Sequence, residues 1–339
     1  MTEQSDSKFK GGLPDYLIRH TTFRQMQIFE AVARLGSFTR AAEELFLTQP
    51  TVSTQLKKLT DVMELPLLDQ SCRQIKPTEA GEELYRAVRK IFDSLSDLDT
   101  KVAALKGLNQ GRLRLGVITT AKYFAPEILG DFWREYPGVD ISLKVTNRNR
   151  IIERIQNNED DLYILGQPPA KEFSLTAYPF APNPMVVLAA KDHPLFQESN
   201  ISIARLAEEP LISREIGSGI RDTTMKRFSE HGLTPNIRMD LGSNEAIKHA
   251  VIGGLGVAIL SLHTLVLDGA DGPLGVLDVE GFPIERKWYL AHHQDKELSP
   301  MVKAFLDFAR ASEPVISERM RTLYAQFSAR HKDSVQEPL

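Results

Sequence analysis

Between Leu84 and Leu105, seven apolar residues (Leu84, Val88, Ile91, Leu95, Leu98, Val102, Leu105) recur at alternating spacings of four and three. A period of 3.5 held for three heptads excludes a strand, whose faces alternate at every second residue, and demands one long helix with an apolar seam. A lone helix cannot bury such a seam, so it packs either on the chain's own domains or on a second copy of the chain. The run opens with Thr78-Glu-Ala-Gly-Glu-Glu, acidic where the helix dipole favours it, and Gly107 and Gly111 break it. The seam divides the chain into two textures.

The segment before it reads as three short amphipathic helices. In the first, Phe23, Met26, Ile28, Phe29, Val32 and Ala33 make a broad apolar face that Gly36 closes. Ser37 caps the second, predicted from Phe38 to Phe46, with small Ala41 and Ala42 inward so that a neighbour can cross closely. After the turn Leu47-Thr48 comes the third, with Thr48 as N-cap and Pro50 in the first turn, where its missing N–H costs nothing. Val52, Leu56, Leu59 and Met63 form its buried stripe, and Gln49, Thr51, Ser53, Thr54, Lys57 and Lys58 face away. Amides, hydroxyls and ammonium groups at a helix start are what base edges and phosphates require, so the unit reads as a helix-turn-helix for double-stranded DNA. The bland alternative is a helical bundle with a solvated face. Asp69 to Lys76 then reads as a wing, whose Arg73 and Lys76 either track phosphates or are solvated. A seam that follows a DNA-binding unit favours a dimer, which presents two recognition helices to two half-sites.

Beyond Gly111 strands alternate with helices. Strands are predicted at 113–117, 141–145, 162–165, 185–190, 237–241, 257–260 and 287–292, with helices at 123–136, 150–157, 219–231, 244–252 and 301–311. About 200 residues of this pattern make two α/β lobes, with crossings expected at Ala181-Pro-Asn-Pro184 and Gly281-Phe-Pro283. Ligands of such units lie between the lobes, at strand ends and helix N-termini. Thr119-Thr120, Gly217-Ser218-Gly219 and Ser243-Asn244 each precede a predicted helix, and Lys122, Asn147, Arg148, Arg214 and Arg221 lie near them in sequence. Three such ends with cations favour an anionic ligand over an apolar one, although N-capping and surface charge explain any one of these residues equally well.

Composition excludes more than it assigns. The net charge is −4, and residues 20–110 carry as many acidic as basic groups, so the DNA reading rests on local pattern alone. The longest apolar run, Ala250 to Leu262, contains three glycines and falls short of the ~18–20 residues a membrane helix needs. Residues 1–24 lack the apolar core of a secretory signal, and the one cysteine, Cys72, can form no internal disulfide, so a cytoplasmic location is expected. Gly253-Gly-Leu-Gly256 lacks the strand-to-helix context of a dinucleotide loop, and Gly217-Ser-Gly219 lacks the lysine of a P-loop. Neither a metal site nor a resident cofactor is expected, and no nucleophile, base or metal set marks an enzyme. A cytoplasmic binding protein or enzyme on the α/β lobes stays open as the reading from another functional class.

Four stretches carry a resemblance: Thr22-Phe-Arg-Gln-Met-Gln-Ile-Phe-Glu-Ala-Val-Ala33, Gly36-Ser-Phe-Thr-Arg-Ala-Ala42, Thr48-Gln-Pro-Thr-Val-Ser53 and Thr78-Glu-Ala-Gly81 look like the LysR-type transcriptional regulators. The likeness spans about residues 21–312. It implies an N-terminal winged helix-turn-helix, a long dimerising linker helix and a C-terminal two-lobed α/β effector domain similar to periplasmic binding proteins, assembled as a homotetramer. Mapped on this chain, the parts are a tail (1–20), the DNA-binding domain (21–80), the linker (81–107), the effector domain (112–312; first lobe 112–183 and 284–312, second lobe 184–283) and a polar tail (313–339). The resemblance implies DNA contacts at Gln49, Pro50, Thr51, Ser53, Thr54, Lys57 and Arg73, with RNA polymerase as a partner and a nucleoid-associated location. Effector contacts are expected at Thr119, Thr120, Lys122, Asn147, Arg148, Arg214, Ser218, Arg221, Ser243 and Asn244. Within the family, Leu47-Thr-Gln-Pro-Thr-Val-Ser53, Thr119-Thr-Ala-Lys-Tyr-Phe-Ala-Pro126, Asn147-Arg148, Asp160-Asp-Leu162 with Gly166-Gln-Pro-Pro169, and Gly217-Ser-Gly219 look most like the CbbR group, which controls carbon-fixation genes. That likeness implies a phosphorylated sugar, a phosphoenolpyruvate-like metabolite or NADPH as effector, with a regulator of another pathway as the alternative. The wing, Asp69-Gln-Ser-Cys-Arg73, and Gln167, where the group often has Arg, depart from the pattern.

Overall fold

The structure, a computed structural model, describes residues 9–10, 13–69, 75–105, 110–167 and 173–336. The chain falls into two compact units, Met1–Asp99 and Thr100–Leu339.

In the first unit, the described residues of the N-terminal segment form three short elements. Phe9–Lys10 (β1) pairs with Leu13–Pro14 (β2), and Asp15–His20 forms a short helix, α1. Next, α2 (Phe23–Leu35) starts at a reciprocal capping box between Thr22 and Gln25 and stops at Gly36, whose φ of 62° suits glycine. Ser37 caps α3 (Phe38–Glu44), which ends two residues earlier than predicted, because Leu45 and Phe46 enter the turn instead. Thr48 caps α4 (Gln49–Met63). Ile28, Phe29, Val32, Ala41, Ala42, Val52, Leu56 and Leu59 form one buried core, and nearly naked Ala41 and Ala42 let the helices cross closely. Leu68–Asp69 (β3) and Lys76–Pro77 (β4) pair as a hairpin, while Arg73 and Cys72 lie outside the described residues.

The long helix α5 runs Glu79–Leu105. Its seam serves two purposes. Leu84 and Val88 are buried in the core of the first unit, with Tyr85 beside them, whereas Leu95, Leu98 and Val102 are 43%, 57% and 38% exposed in the single chain. The sequence left open whether the seam packs at home or on a partner, and the two N-terminal positions pack at home. The side chain of Leu105 and residue Gly107 lie outside the described set.

In the second unit, β5 (Gln110–Ile118) leads through a 3-10 turn (Thr119–Tyr123) into α6 (Ala125–Glu135), so Thr119-Thr120 open that turn rather than a helix at Tyr123. There follow β6 (Gly138–Thr146), α7 (Arg148–Gln156), β7 (Leu162–Leu165) and β8 (Leu175–Pro182). The chain then builds β9 (Met185–Ala190), α8 (Ile203–Glu208), β10 (Leu211–Arg214), α9 (Gly219–Ser229), β11 (Ile237–Leu241), α10 (Asn244–Ile252), β12 (Ala258–Ser261) and β13 (Leu274–Val276). It returns through β14 (Lys287–His293), and α11 (Pro300–Ala311) covers the first sheet. That sheet has the order β6-β5-β7-β14-β8, with β5 parallel to β6 and β7, and β14 antiparallel to β7 and β8. The second lobe holds the sheet β12-β9-β13 and the parallel pair β10-β11. The two crossings pair with each other: Asn183 N–H donates to Arg286 O (2.7 Å), and Met185 and Ile284 exchange both backbone bonds.

The residues beyond α11, expected as a polar and mildly helical tail, form the helix α12 (Glu313–Gln336). Ile316 enters the core of the first lobe, and Met320, Leu323 and Phe327 enter that of the second. Arg319 reaches back to both carboxylate oxygens of Glu127 on α6 (2.5 Å each). No helix among the described residues is long and apolar enough to cross a membrane.

Candidate functional site

The first candidate surface is the start of α4. Pro50 and the Thr48 cap fix where the helix begins: the Thr48 hydroxyl accepts from Thr51 N–H (3.4 Å) and meets the Thr51 hydroxyl at 2.8 Å. Burying Val52, Leu56 and Leu59 on one stripe then turns the opposite stripe outward. Gln49, Pro50, Thr51, Ser53, Thr54, Lys57 and Lys58 are all exposed, so six of the seven residues expected to touch DNA share one free surface, and the seventh, Arg73, lies outside the described residues. Gln55 instead accepts from the side chain of Gln25 on α2 (3.3 Å), which explains its absence from that surface.

The second candidate is the crevice between the lobes of the second unit, with about 790 Å³ of empty space including its open mouth. Of the expected effector residues, Thr119, Thr120, Asn147, Arg148, Arg214 and Ser218 line it. The N-termini of α7 and α9 converge there, capped by Asn147 and Ser218, and Gly219 and Ile220 follow at the wall. Thr119 and Thr120 come from the end of β5.

Four of the residues do not line it. Lys122 lies 3.8 Å from Glu245, and Ser243 caps α10 by accepting from Ala246 N–H. Arg221 donates to Arg214 O (2.8 Å) and pairs with Asp240. Asn244 sits behind the wall, accepting from Arg214 Nη1 (2.6 Å) and donating to Thr120 Oγ1 (3.3 Å). In each case a partner in the fold uses the group that was expected to meet a ligand.

Sequence reasoning missed the two most informative lining groups. Arg286 follows the second crossing and rests against the carbonyls of Gly166 in the first lobe and Gly219 in the second. Burial, then the neighbouring charge of Arg148, pushes its guanidinium down to about 10, the sign of a cation poorly compensated where it sits. Among the described residues no carboxylate pairs with it. By contrast Arg214 is gripped by both oxygens of Glu215 (2.7 and 2.8 Å), and Arg148 meets Asp222 at 3.0 Å. Although burial pushes the Glu215 carboxyl up, Arg214 holds it below its ordinary range. Gln167, noted in the sequence only as a departure from the CbbR pattern and not among the effector contacts, donates across the crevice to Gly219 O (3.2 Å) and Thr223 Oγ1 (3.1 Å). Arg286 lies in no predicted element, and its partners come from positions 166 and 219, so local pattern carries no trace of it.

The lobes are latched around this space. Besides the Gln167 bonds and the Arg148–Asp222 pair, the Tyr123 hydroxyl donates to Glu245 (2.5 Å) and Asn244 to Thr120. Among the described residues no cluster of three His, Cys, Asp or Glu could hold a metal.

Comparison with known proteins adds to this geometry. The lysR-family bacterial regulatory helix-turn-helix domain matches residues 23–82, and the LysR substrate binding domain matches residues 106–313. The chain is 50% identical over 300 residues to the HTH-type transcriptional activator CmpR of Synechocystis, covering 88% of this chain and 98% of that one. It is 48% identical over 295 residues to the RuBisCO operon transcriptional regulator of Acidithiobacillus ferrooxidans, covering 87% and 95%. The solved regulatory domain of Synechocystis CcmR in complex with 2-PG is 52% identical, with a TM-score of 0.58, and spans 60% of this chain and 97% of that chain.

Proposed function

The chain belongs to the LysR family of DNA-binding transcriptional regulators and is not an enzyme, and from that premise we propose that it controls carbon-fixation or central carbon metabolism genes in response to a small anionic metabolite held between its lobes. The observation that carries the effector reading is Arg286. It is a largely buried guanidinium without a carboxylate partner among the described residues, placed where the N-termini of α7 and α9 converge. An anion there meets one cation that carbonyls but no described carboxylate pair with, and two sets of helix N–H groups. The relatives argue for the pathway, and 2-PG, bound by the CcmR regulatory domain, is the first candidate ligand.

Gln49, Pro50, Thr51, Ser53, Thr54 and Lys57, with Arg73, read and grip the operator. Gln49 carries the most discrimination, since a glutamine can pair bidentately with adenine. The exposed Leu95, Leu98 and Val102 of α5 support a homodimer through the linker helix, and pairs of dimers make the tetramer. Engagement of RNA polymerase from the operator and a place on the nucleoid in the cytoplasm complete the reading. The effector acts by binding one arrangement of the lobes more tightly than another, which is enough to shift the tetramer and the DNA it holds. Titration calorimetry of the full chain with 2-PG, phosphoenolpyruvate, a phosphorylated sugar and NADPH tests the site. Saturable binding of one of them without turnover is expected, and turnover or no binding by any overturns it.

A further inference from the structure

Phe46 sits in the turn between α3 and α4 with φ 54° and is 95% exposed. Both facts run against the fold. The turn has the Schellman pattern, with Leu47 N–H donating to Ala42 O (2.8 Å), and the residue at this left-handed position is usually glycine or asparagine. The other non-glycine residues at positive φ are Glu64, Asn158, Ser174 and Asn200, which leaves Phe46 as the sole aromatic among them in the described residues. Its neighbours Leu45 and Leu47 pack against the core of the first unit, but its ring contributes nothing to that core. A bulky ring held in a disfavoured backbone conformation and left in water adds nothing to the core of the first unit, which leaves it free to meet a partner.

Its place names the partner. Phe46 is two residues before the Thr48 cap and three before Gln49, so its Cα lies within about 11 Å of that of Gln49 along the chain. The major groove is about 12 Å wide. A ring so close to the residue that enters the groove meets its wall, where the apolar surfaces on offer are the C5-methyl of thymine and the face of a deoxyribose. We propose that Phe46 is an apolar DNA contact, held outward by the strained turn, that adds recognition of a methyl or sugar surface to the polar reading by Gln49 and its neighbours. The proposal rests on the DNA-binding role of α4.

The test uses the full-length chain and a footprinted duplex from the region upstream of its own gene, comparing wild type, Phe46→Gly and Gln49→Ala. Glycine suits the left-handed turn, so Phe46→Gly is expected to melt no lower than wild type and to bind the duplex about tenfold more weakly. Replacing thymines one at a time by deoxyuridine removes only the methyl. If one replacement weakens wild type several-fold and leaves Phe46→Gly unchanged, the contact is to that thymine. If no replacement matters but Phe46→Gly is weaker on every duplex, the contact is to the sugar. Equal binding by Phe46→Gly and wild type, with Gln49→Ala weakened, overturns the inference alone. Failure of wild type to bind any upstream DNA overturns the DNA-binding reading beneath it.

Discussion

The two candidate sites, the start of α4 and the crevice between the lobes, are assembled in opposite ways. The reading surface is contiguous, from Thr48 to Lys58, on one helix that its own cap and buried stripe orient. The crevice is gathered from positions 118 to 288, and the cations in and behind its wall are sorted by partners both near and far in sequence: Arg214 is held by Glu215 and Asn244, and Arg221, outside the lining, by Asp240 and Arg214 O. A surface built from one element announces itself by residue type. A pocket built from many is defined by which charges remain uncompensated after folding.

The sharpest way to break this contrast is Arg286→Met. Truncating one member of a buried charge pair costs about 2–5 kcal/mol of affinity, so calorimetry should show effector binding lost while ligand-free DNA binding in a mobility-shift assay stays at the wild-type level. Loss of DNA binding as well would show that the two sites are not separable. Next in size is a pH effect confined to the second unit. His263 is fully buried, with its Nε2 against Pro182 O (2.9 Å), and burial pushes its imidazole down to about 4. The unfolded chain, with an ordinary histidine near 6.5, takes up the proton first as pH falls. Stability of this unit should therefore be full above about pH 6.5 and decline toward pH 4 by about 3 kcal/mol. Denaturant melts of wild type and His263→Gln across that range check it, and a wild-type slope no steeper than the variant's contradicts the assignment.

Smaller effects separate the sites further. Gln49→Ala should lose about 1–3 kcal/mol of operator affinity in mobility shifts, with effector affinity unchanged. Lys57→Ala should weaken binding to all sequences alike and lower the salt slope by about 1. Smallest is Arg148→Ala, which removes a half-exposed cross-lobe pair worth at most about 1 kcal/mol. Calorimetry should show a loss of no more than about fivefold in effector affinity, against the near-complete loss expected for Arg286→Met.

The same contrast explains what was legible in the sequence. Caps and stripes are local, so Ser37, Thr48 and Gly36 were readable as helix boundaries, and the exposed face of α4 followed from its period. The strand β8 was missed because Pro179 and Pro182 break a strand pattern. They are tolerated because β8 is the edge of its sheet, where its register against β14 also slips. The helix α12 reads as polar because its four core residues, Ile316, Met320, Leu323 and Phe327, are spread over two lobes instead of one continuous face. The heptad seam stayed ambiguous for a related reason: period 3.5 cannot distinguish Leu84 and Val88, buried at home, from Leu95 and Leu98, left exposed.

The most direct test of the account is a mobility-shift titration of the full chain on DNA from upstream of its own gene, with and without saturating 2-PG, for wild type and Arg286→Met. The account predicts that wild type binds, that the ligand changes the affinity or mobility of its complex, and that Arg286→Met binds DNA equally but ignores the ligand. If calorimetry shows 2-PG bound and the wild-type complex is unmoved by it, or if Arg286→Met responds as wild type does, the link between the crevice and the reading helix is contradicted.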